Sequence, residues 1–211
     1  SMVGNSHSTH GQSQAKCGLV IDMSGLAEIH AINAADAVVD AGVRWFELLQ
    51  QSLPLGKSPP VLTDFIDLSV GGTLSVGGIG GQTPQHGLQA DNVLELWVVD
   101  GRGKLRQCSP TKNVALFNAV RGGLGQFGII VKARVKLIAV KPLARRYTAV
   151  YADVASLIAD QVLLMNQGRF DYVEGLGLPQ PDDSYVLLLE AVKYFDPAAP
   201  PDDAAMLAGL S

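Results

Sequence analysis

One stretch of this chain combines an acid, small hydroxyls and an unusual density of glycine. Residues 62–87 read LTDFIDLSVGGTLSVGGIGGQTPQHG, with seven glycines, Asp64 at the start, and hydroxyls at Ser69, Thr73 and Ser75. Glycine this dense either takes positive φ or lets another group approach the backbone closely. A flexible linker would lack the buried-type residues Phe65, Leu68, Val70, Leu74 and Ile79. The stretch therefore reads as ordered loop and short helix. It either wraps a flat or extended ligand or makes a purely structural glycine-rich connection.

Two further places invite a chemical reading. Residues 3–12, VGNSHSTHGQ, surround His7 and His10 with small polar residues. Such a loop can hold phosphates through its backbone N–H groups. A metal site is not expected there, because no carboxylate or thiolate stands beside the pair at ligand spacing and His30 and His86 lie far off in sequence. Gly123, Gly125 and Gly128 fit G-x-G-x-x-G. The dinucleotide fingerprint needs a strand before it and a helix after it, so that the helix N-terminus faces the pyrophosphate. The pattern here runs helix then strand, and the Rossmann reading is rejected.

The elements that must position these residues follow from periodicity. Short strands are expected over 18–23, 28–33 and 37–41, and a helix over 43–52 with apolar residues at 45, 46, 48 and 49. Prolines make 53–60 a loop. Residues 93–100 and 104–108 form a hairpin across Gly101-Arg102-Gly103. A short helix at 113–120 precedes the second glycine cluster, and a long β-branched run covers 129–140. A strand at 145–151, a helix at 154–166 capped by Asp153, and strands at 172–178 and 185–193 follow. Residues 196–211 read as a loop running into a helix. Hairpin-connected strands with interposed helices make the fold class α+β. The boundary is expected near Lys141-Pro142, between a glycine-rich part (1–141) and a smaller strand–helix–strand part (142–211).

The chain has 211 residues, 47% apolar and 17% charged, which suits a folded chain with a sizeable core. A net charge of −4 argues against a nucleic-acid partner. No apolar run reaches the roughly 18 residues of a membrane span. Cys17 and Cys108 make no disulfide framework. Few cysteines and no visible signal lean towards the cytoplasm.

In order and spacing, GNSHSTHGQ, GLVIDM, the 62–87 stretch, NVLELWVVDGRG and VRGGLGQFGIIVKARV resemble cytokinin dehydrogenases. RRYTAVYADVASLIADQ and FDYVEG extend the resemblance, which covers roughly residues 4–175. These are FAD-linked oxidoreductases with the vanillyl-alcohol-oxidase (PCMH-type) FAD-binding fold. The resemblance implies the second subdomain of that FAD domain, an antiparallel sheet with flanking helices, plus the N-terminal part of an α+β substrate domain. It implies a chain that begins after the first FAD subdomain and ends inside the substrate domain.

Site residues are implied by the same likeness. In the family motif G-x-G-H-S the histidine bonds covalently to the flavin 8α-methyl. Here it is His7, with Gly4 at the first glycine and Ser8 and Gln12 at flavin contacts. The second glycine is replaced by Ser6. Asp64 matches the catalytic aspartate; read from the residues alone, it could equally cap the helix after it. Ser69, Ser75, Ile79 and Ile130 match positions that touch FAD through hydroxyl or backbone, and Val76 stands where asparagine is usual. Gly125, Gln126 and Gly128 would shape the loop under the flavin. Glu174 matches an acid at the substrate-pocket entrance, or is simply the polar face of a strand.

The implied reaction oxidises the secondary allylic amine of an N6-substituted adenine by hydride transfer to flavin N5, followed by imine hydrolysis. Two other readings stay open: an FAD-linked oxidase of an alcohol, sugar or lactone, and a truncated, non-catalytic remnant whose exposed apolar surface would drive self-association.

Overall fold

The β-branched run after the second glycine cluster becomes the middle strand of the larger sheet in a computed structural model, which describes residues 1–8 and 10–211. The chain divides into two compact units, Ser1–Ala139 and Val140–Ser211. In the first unit, β1 (Met2–Val3) pairs in parallel with β2 (Ile21–Asp22). There follow β3 (Ile29–Ile32), β4 (Asp36–Asp40), α1 (Trp45–Ser52) and β5 (Lys57–Ser58). The 62–87 stretch holds α2 (Val70–Val76) and α3 (Thr83–His86). Then come β6 (Val93–Val99), β7 (Leu105–Cys108), α4 (Val114–Val120), β8 (Ile129–Lys136) and β9 (Ile138–Ala139).

Five of these strands form one antiparallel sheet in the order β3-β4-β8-β6-β7. Alternate residues face opposite sides of a strand. Ala37, Val39, Leu96, Val98, Ala133 and Val135 are buried with Trp45 and Leu48 of α1, Leu74 of α2, and Phe117 and Val120 of α4 in one core. Trp45 Nε1 donates to Thr73 Oγ1 at 2.7 Å inside that core, so α1 and α2 are tied by a satisfied buried polar pair. The other face carries charge, with Arg134 donating to Asp36 at 2.6 Å. This guanidinium holds the Asp36 carboxyl below its ordinary value against the upward push of burial.

Three expectations need adjustment. The run 129–140 is not one strand: Leu137 is buried and its N–H bonds Ala35 O at 2.8 Å, which breaks the ladder and sends β9 to pair with β5. The expected strand over 18–23 shrinks to Ile21–Asp22, with Leu19 and Val20 exposed. The first helix starts at Trp45, because Arg44 is extended as N-cap and bridges to Ser69.

The second unit holds β10 (Leu143–Tyr151), α5 (Val154–Gln167), β11 (Tyr172–Pro179), β12 (Tyr185–Phe195) and α6 (Asp203–Leu207). Its sheet is antiparallel, ordered β10-β12-β11. Asp153 caps α5 by accepting the Ser156 N–H at 2.9 Å. Tyr151, Leu157, Leu164, Phe170, Val173, Leu189 and Ala191 form a separate core. No helix among the described residues is long and apolar enough to cross a membrane.

Candidate functional site

The polar loop that begins at Gly4 lies along residues 65–69, and the contact is specific at three points. A Cβ on Gly4 would lie 2.1 Å from Ser69 Oγ and 3.1 Å from Ser69 Cβ, so a side chain there would make the Ser69 hydroxyl turn away and crowd its Cβ. Asn5 Nδ2 donates to the backbone carbonyl of Asp67. The His7 imidazole stacks on the Phe65 ring, with centroids 4.8 Å apart and planes 12° from parallel. Gly4 and His7 therefore lie against Ser69 and Phe65, about sixty residues later in sequence, and Asp64 precedes Phe65 in the same bend. Thr9, inside the same motif, lies outside the described residues.

Arg44 braces the segment that carries Asp67. Its Nη1 donates to Asp67 Oδ1 at 2.8 Å and its Nη2 to Glu47 Oε1 at 2.5 Å. The guanidinium holds the Glu47 carboxyl below its ordinary value, and Glu47 raises the already high pKa of Arg44. These ion pairs are partly exposed, so they add little to stability, and their effect is more to fix Asp67 than to stabilise the fold.

Two more segments flank this contact. A Cβ on Gly80 would collide with the carbonyl of Leu62, which places residues 79–82 against the chain leading into Asp64. The Gln82 side chain accepts the Leu62 N–H at 3.4 Å on the same seam. The second glycine cluster docks on the end of α2, where Gly122 and Leu124 donate their N–H groups to the carbonyls of Leu74 and Ser75 at 2.9 and 2.8 Å. Residues 62–69, 75–82 and 122–128 thus lie side by side. They leave Phe65, Val76, Ile79, Leu124 and Phe127 between 49% and 69% exposed. Half-exposed apolar side chains on glycine-rich backbone make a surface suited to a flat, partly aromatic ligand.

The remaining expected contacts are placed as follows. Ser6, Ser8 and Gln12 are exposed on the loop, and Gln12 Oε1 accepts the His10 N–H at 3.0 Å. Ser6 stands at φ +53°, in the left-handed region that favours glycine. This is the conformational reason for a glycine at that motif position. Asp64 is exposed in a bend and does not cap α2, whose N-cap is Ser69. Ser75 donates its hydroxyl to Gly71 O at 2.7 Å. Ile130 is 5% exposed with its side chain in the core, which leaves its backbone as the part able to meet a ligand.

Glu174 belongs to the second unit, on β11. Tyr172 donates its hydroxyl to Glu174, and Glu190 is its cross-strand partner on β12. Glu190 pairs on its other side with Thr148 and has Arg146 3.8 Å away. Like charges directly opposite are unfavourable unless a proton, a cation or hydrogen-bond donors relieve them. Sequence reasoning missed Glu190, because the partnership exists only through the β11–β12 register.

It also missed Glu28, His30 and Asp40, whose ligand-type atoms lie within 4.8 Å of one another. His30 Nε2 is 2.7 Å from Asp40 and its Nδ1 3.3 Å from Glu28, while Lys132 Nζ is 3.9 Å from Asp40. The β3–β4 pairing brings them together, and Asp40 is shared between the imidazole and the lysine. The arrangement is a charge-paired corner of the sheet.

Comparison with known proteins gives the family of the chain. A family described as FAD binding domain matches residues 1–109. The chain belongs to this family. An uncharacterised oxidoreductase of the fasciation locus of Rhodococcoides fascians is 44% identical over 207 residues, covering 98% of this chain and 47% of that protein. Cytokinin dehydrogenase 3 of Oryza sativa subsp. japonica is 49% identical over 179 residues, covering 82% of this chain and 34% of that protein. Cytokinin dehydrogenase 8 of Oryza sativa subsp. indica is 46% identical over 187 residues, with 82% and 35% covered. The chain spans between a third and half of the length of these relatives.

As a member of an FAD-binding family, the first unit has residues that fit the cofactor. The backbone at Gly80 is too closely approached to carry a side chain, which keeps that seam shallow. The stacked His7–Phe65 pair and the half-exposed Val76, Ile79 and Leu124 offer flat apolar contact.

Proposed function

We propose that residues 1–141 bind the flavin of an FAD-dependent oxidoreductase, that residues 142–211 contribute to its substrate side, and that the substrate is an N6-substituted adenine with a secondary allylic amine. The observation that carries the reading is the stacking of His7 on Phe65, the residue next to Asp64, where the loop of Gly4 packs against Ser69. The substrate class is carried over from relatives that bear the name cytokinin dehydrogenase and are 46–49% identical.

Bound FAD would supply the hydride acceptor, at N5 of its ring system. Asp64 would accept the amine N–H proton as the adjacent C–H hydride leaves, so that the C–N single bond becomes an imine. Water then adds to the imine carbon and splits it into free adenine and an aldehyde. Glu174 would accept a hydrogen bond from the same substrate at the pocket entrance. Gly4, Ser6, Ser8, Gln12, Ser69, Ser75, Ile79 and Ile130 would line the cofactor. His7 would carry it through a bond from a ring nitrogen to the flavin 8α-carbon. Forming that bond removes the imidazole N–H proton and one methyl hydrogen; two protons and two electrons leave in all, the electrons to an oxidant such as dioxygen.

The test is to add FAD to the purified chain and follow the flavin absorbance anaerobically with isopentenyladenine, sugars and alditols in turn. Bleaching by isopentenyladenine alone is the expected result, and Asp64→Asn should slow it roughly 10²- to 10⁴-fold. Bleaching by a sugar or alditol would overturn the substrate reading. A chain that never takes up flavin would overturn the proposal as a whole.

A further inference from the structure

We infer that Phe65 is a positioning residue for His7, holding the imidazole plane so that a ring nitrogen is presented to the flavin. The inference rests on the proposed role of His7 as the flavin-carrying residue. The ties at Gly4–Ser69 and Asn5–Asp67 fix the backbone of the loop, but they stop short of the His7 ring. An exposed histidine on a polar loop would otherwise sample several rotamers. The near-parallel stack at 4.8 Å and 12° selects one ring plane and covers one imidazole face. The residue as a whole is exposed.

Half of the surface of Phe65 is exposed, and it is absent from the first unit's core, so it does not hold the fold together. The turn that carries it is pinned by Thr63 Oγ1, which donates to Phe65 O at 2.9 Å. Asp64 sits in the same turn. One short segment thus carries Asp64 and, through Phe65, meets the imidazole. Fixing a reacting group in place of a rotamer search raises rate without changing its chemistry.

Phe65→Ala, Phe65→Leu and Phe65→Tyr, made in the 211-residue chain, test the inference with two readouts. The first is the proton NMR of the His7 ring without FAD. The upfield ring-current displacement should vanish in the Ala and Leu variants and persist in the Tyr variant. The second is the rate at which acid-stable flavin mass appears on incubation with FAD. Stacking of this kind is worth a roughly threefold to tenfold effect, so the Ala and Leu variants should be slower by that factor, with Tyr like the parent. Melting temperatures should stay together, because the side chain is outside the core.

A parent chain that acquires acid-stable flavin no faster than Phe65→Ala would overturn the inference. So would a His7 spectrum unchanged in Phe65→Ala. Reversible FAD binding with no acid-stable mass in the parent would instead sink the covalent role of His7. The His7 ring-current displacement alone would then decide whether Phe65 positions the ring.

Discussion

The two units make surfaces by opposite means. In the first, the candidate flavin patch is built by subtraction: at Gly4 and Gly80 any side chain would strike a neighbouring segment. In the second, the sheet face around Glu174 is crowded with polar groups, Tyr172, Glu190, Thr148 and Arg146, held in strand register. The first unit therefore depends on backbone approach, and the second on side-chain hydrogen bonds and ion pairs. One mode fails through added atoms and the other through removed protons or partners. The chain carries its own reporters for the contrast, since both tryptophans, Trp45 and Trp97, lie in the first unit and all five tyrosines in the second.

The largest expected effect comes from adding a single methyl group to the first unit. Gly80→Ala sets a Cβ against the Leu62 carbonyl, a backbone atom that cannot swing aside. Overpacking of this kind costs about 3 kcal/mol. For a chain of this size that is a fall of roughly 6–12 °C in Tm, read by tryptophan fluorescence. The tyrosine signal of the second unit should melt as in the parent. Equal melting of Gly80→Ala and parent would mean that the seam between residues 62 and 80 is loose, and that the patch is not built by close approach.

The converse experiment removes partners from the second unit. Asp160 is 5% exposed, and one of its oxygens accepts from Tyr151 Oη at 2.9 Å and from both Ser211 N and Oγ at 2.8 Å. Burial pushes its pKa up, but the Ser211 and Tyr151 donors outweigh burial and leave it below the ordinary value. A depressed folded pKa gives stability that is complete above the ordinary value of about 3.9 and lost as pH falls through the lower, folded one. Tyr151 behaves in the opposite sense. Burial, then the bond to Asp160, push it up to about 12. Its contribution is complete below the ordinary value of about 10 and lost as pH rises towards 12. Asp160→Asn should cost about 1–3 kcal/mol and make the acid limb shallower, and Tyr151→Phe about 1 kcal/mol and make the alkaline one shallower, the rest of each limb coming from Asp153, Asp182 and Asp203 and from Tyr147. Spectrophotometric titration should show Tyr151 and Tyr147 ionising late, and the Tyr151 part of that late fraction should be missing in Tyr151→Phe. Tyrosines that ionise together would show that Asp160 is not the hub of this unit.

The same contrast explains what could be read from the sequence. The β6–β7 hairpin was legible because Gly101 and Gly103 punctuate two strand patterns, and α5 because Asp153 stands where a cap belongs. The glycine stretch declared order through its interleaved Val70 and Leu74, both now buried. What was not legible needed partners distant in sequence. Leu137 breaks the 129–140 run only because Ala35 claims its N–H. Glu190 matters only through β11–β12 register, and His30 only through its place opposite Asp40. In the site, the family resemblance singled out His7 and Asp64, whereas Phe65 reads as ordinary buried-type bulk. Nothing local says that its ring will meet an imidazole from a loop nearly sixty residues earlier.

The smallest effect sharpens the comparison most, because it separates backbone strain from side-chain contact within the first unit. Ser6 holds φ +53° in the loop that carries Gly4 and His7. A non-glycine residue in that region costs about 1 kcal/mol, and Ser6→Gly releases the strain while freeing the unfolded chain somewhat more. The net gain in stability should therefore be at most about 1 kcal/mol, a rise of a few degrees in the tryptophan melt. The serine is exposed, so the substitution removes no packing. If the patch is built by subtraction, FAD should bind Ser6→Gly at least as tightly as it binds the parent, since another side chain has been cleared from the loop. Weaker FAD binding by Ser6→Gly would show instead that the Ser6 hydroxyl is itself a ligand contact, and that this loop works by the side-chain logic of the second unit.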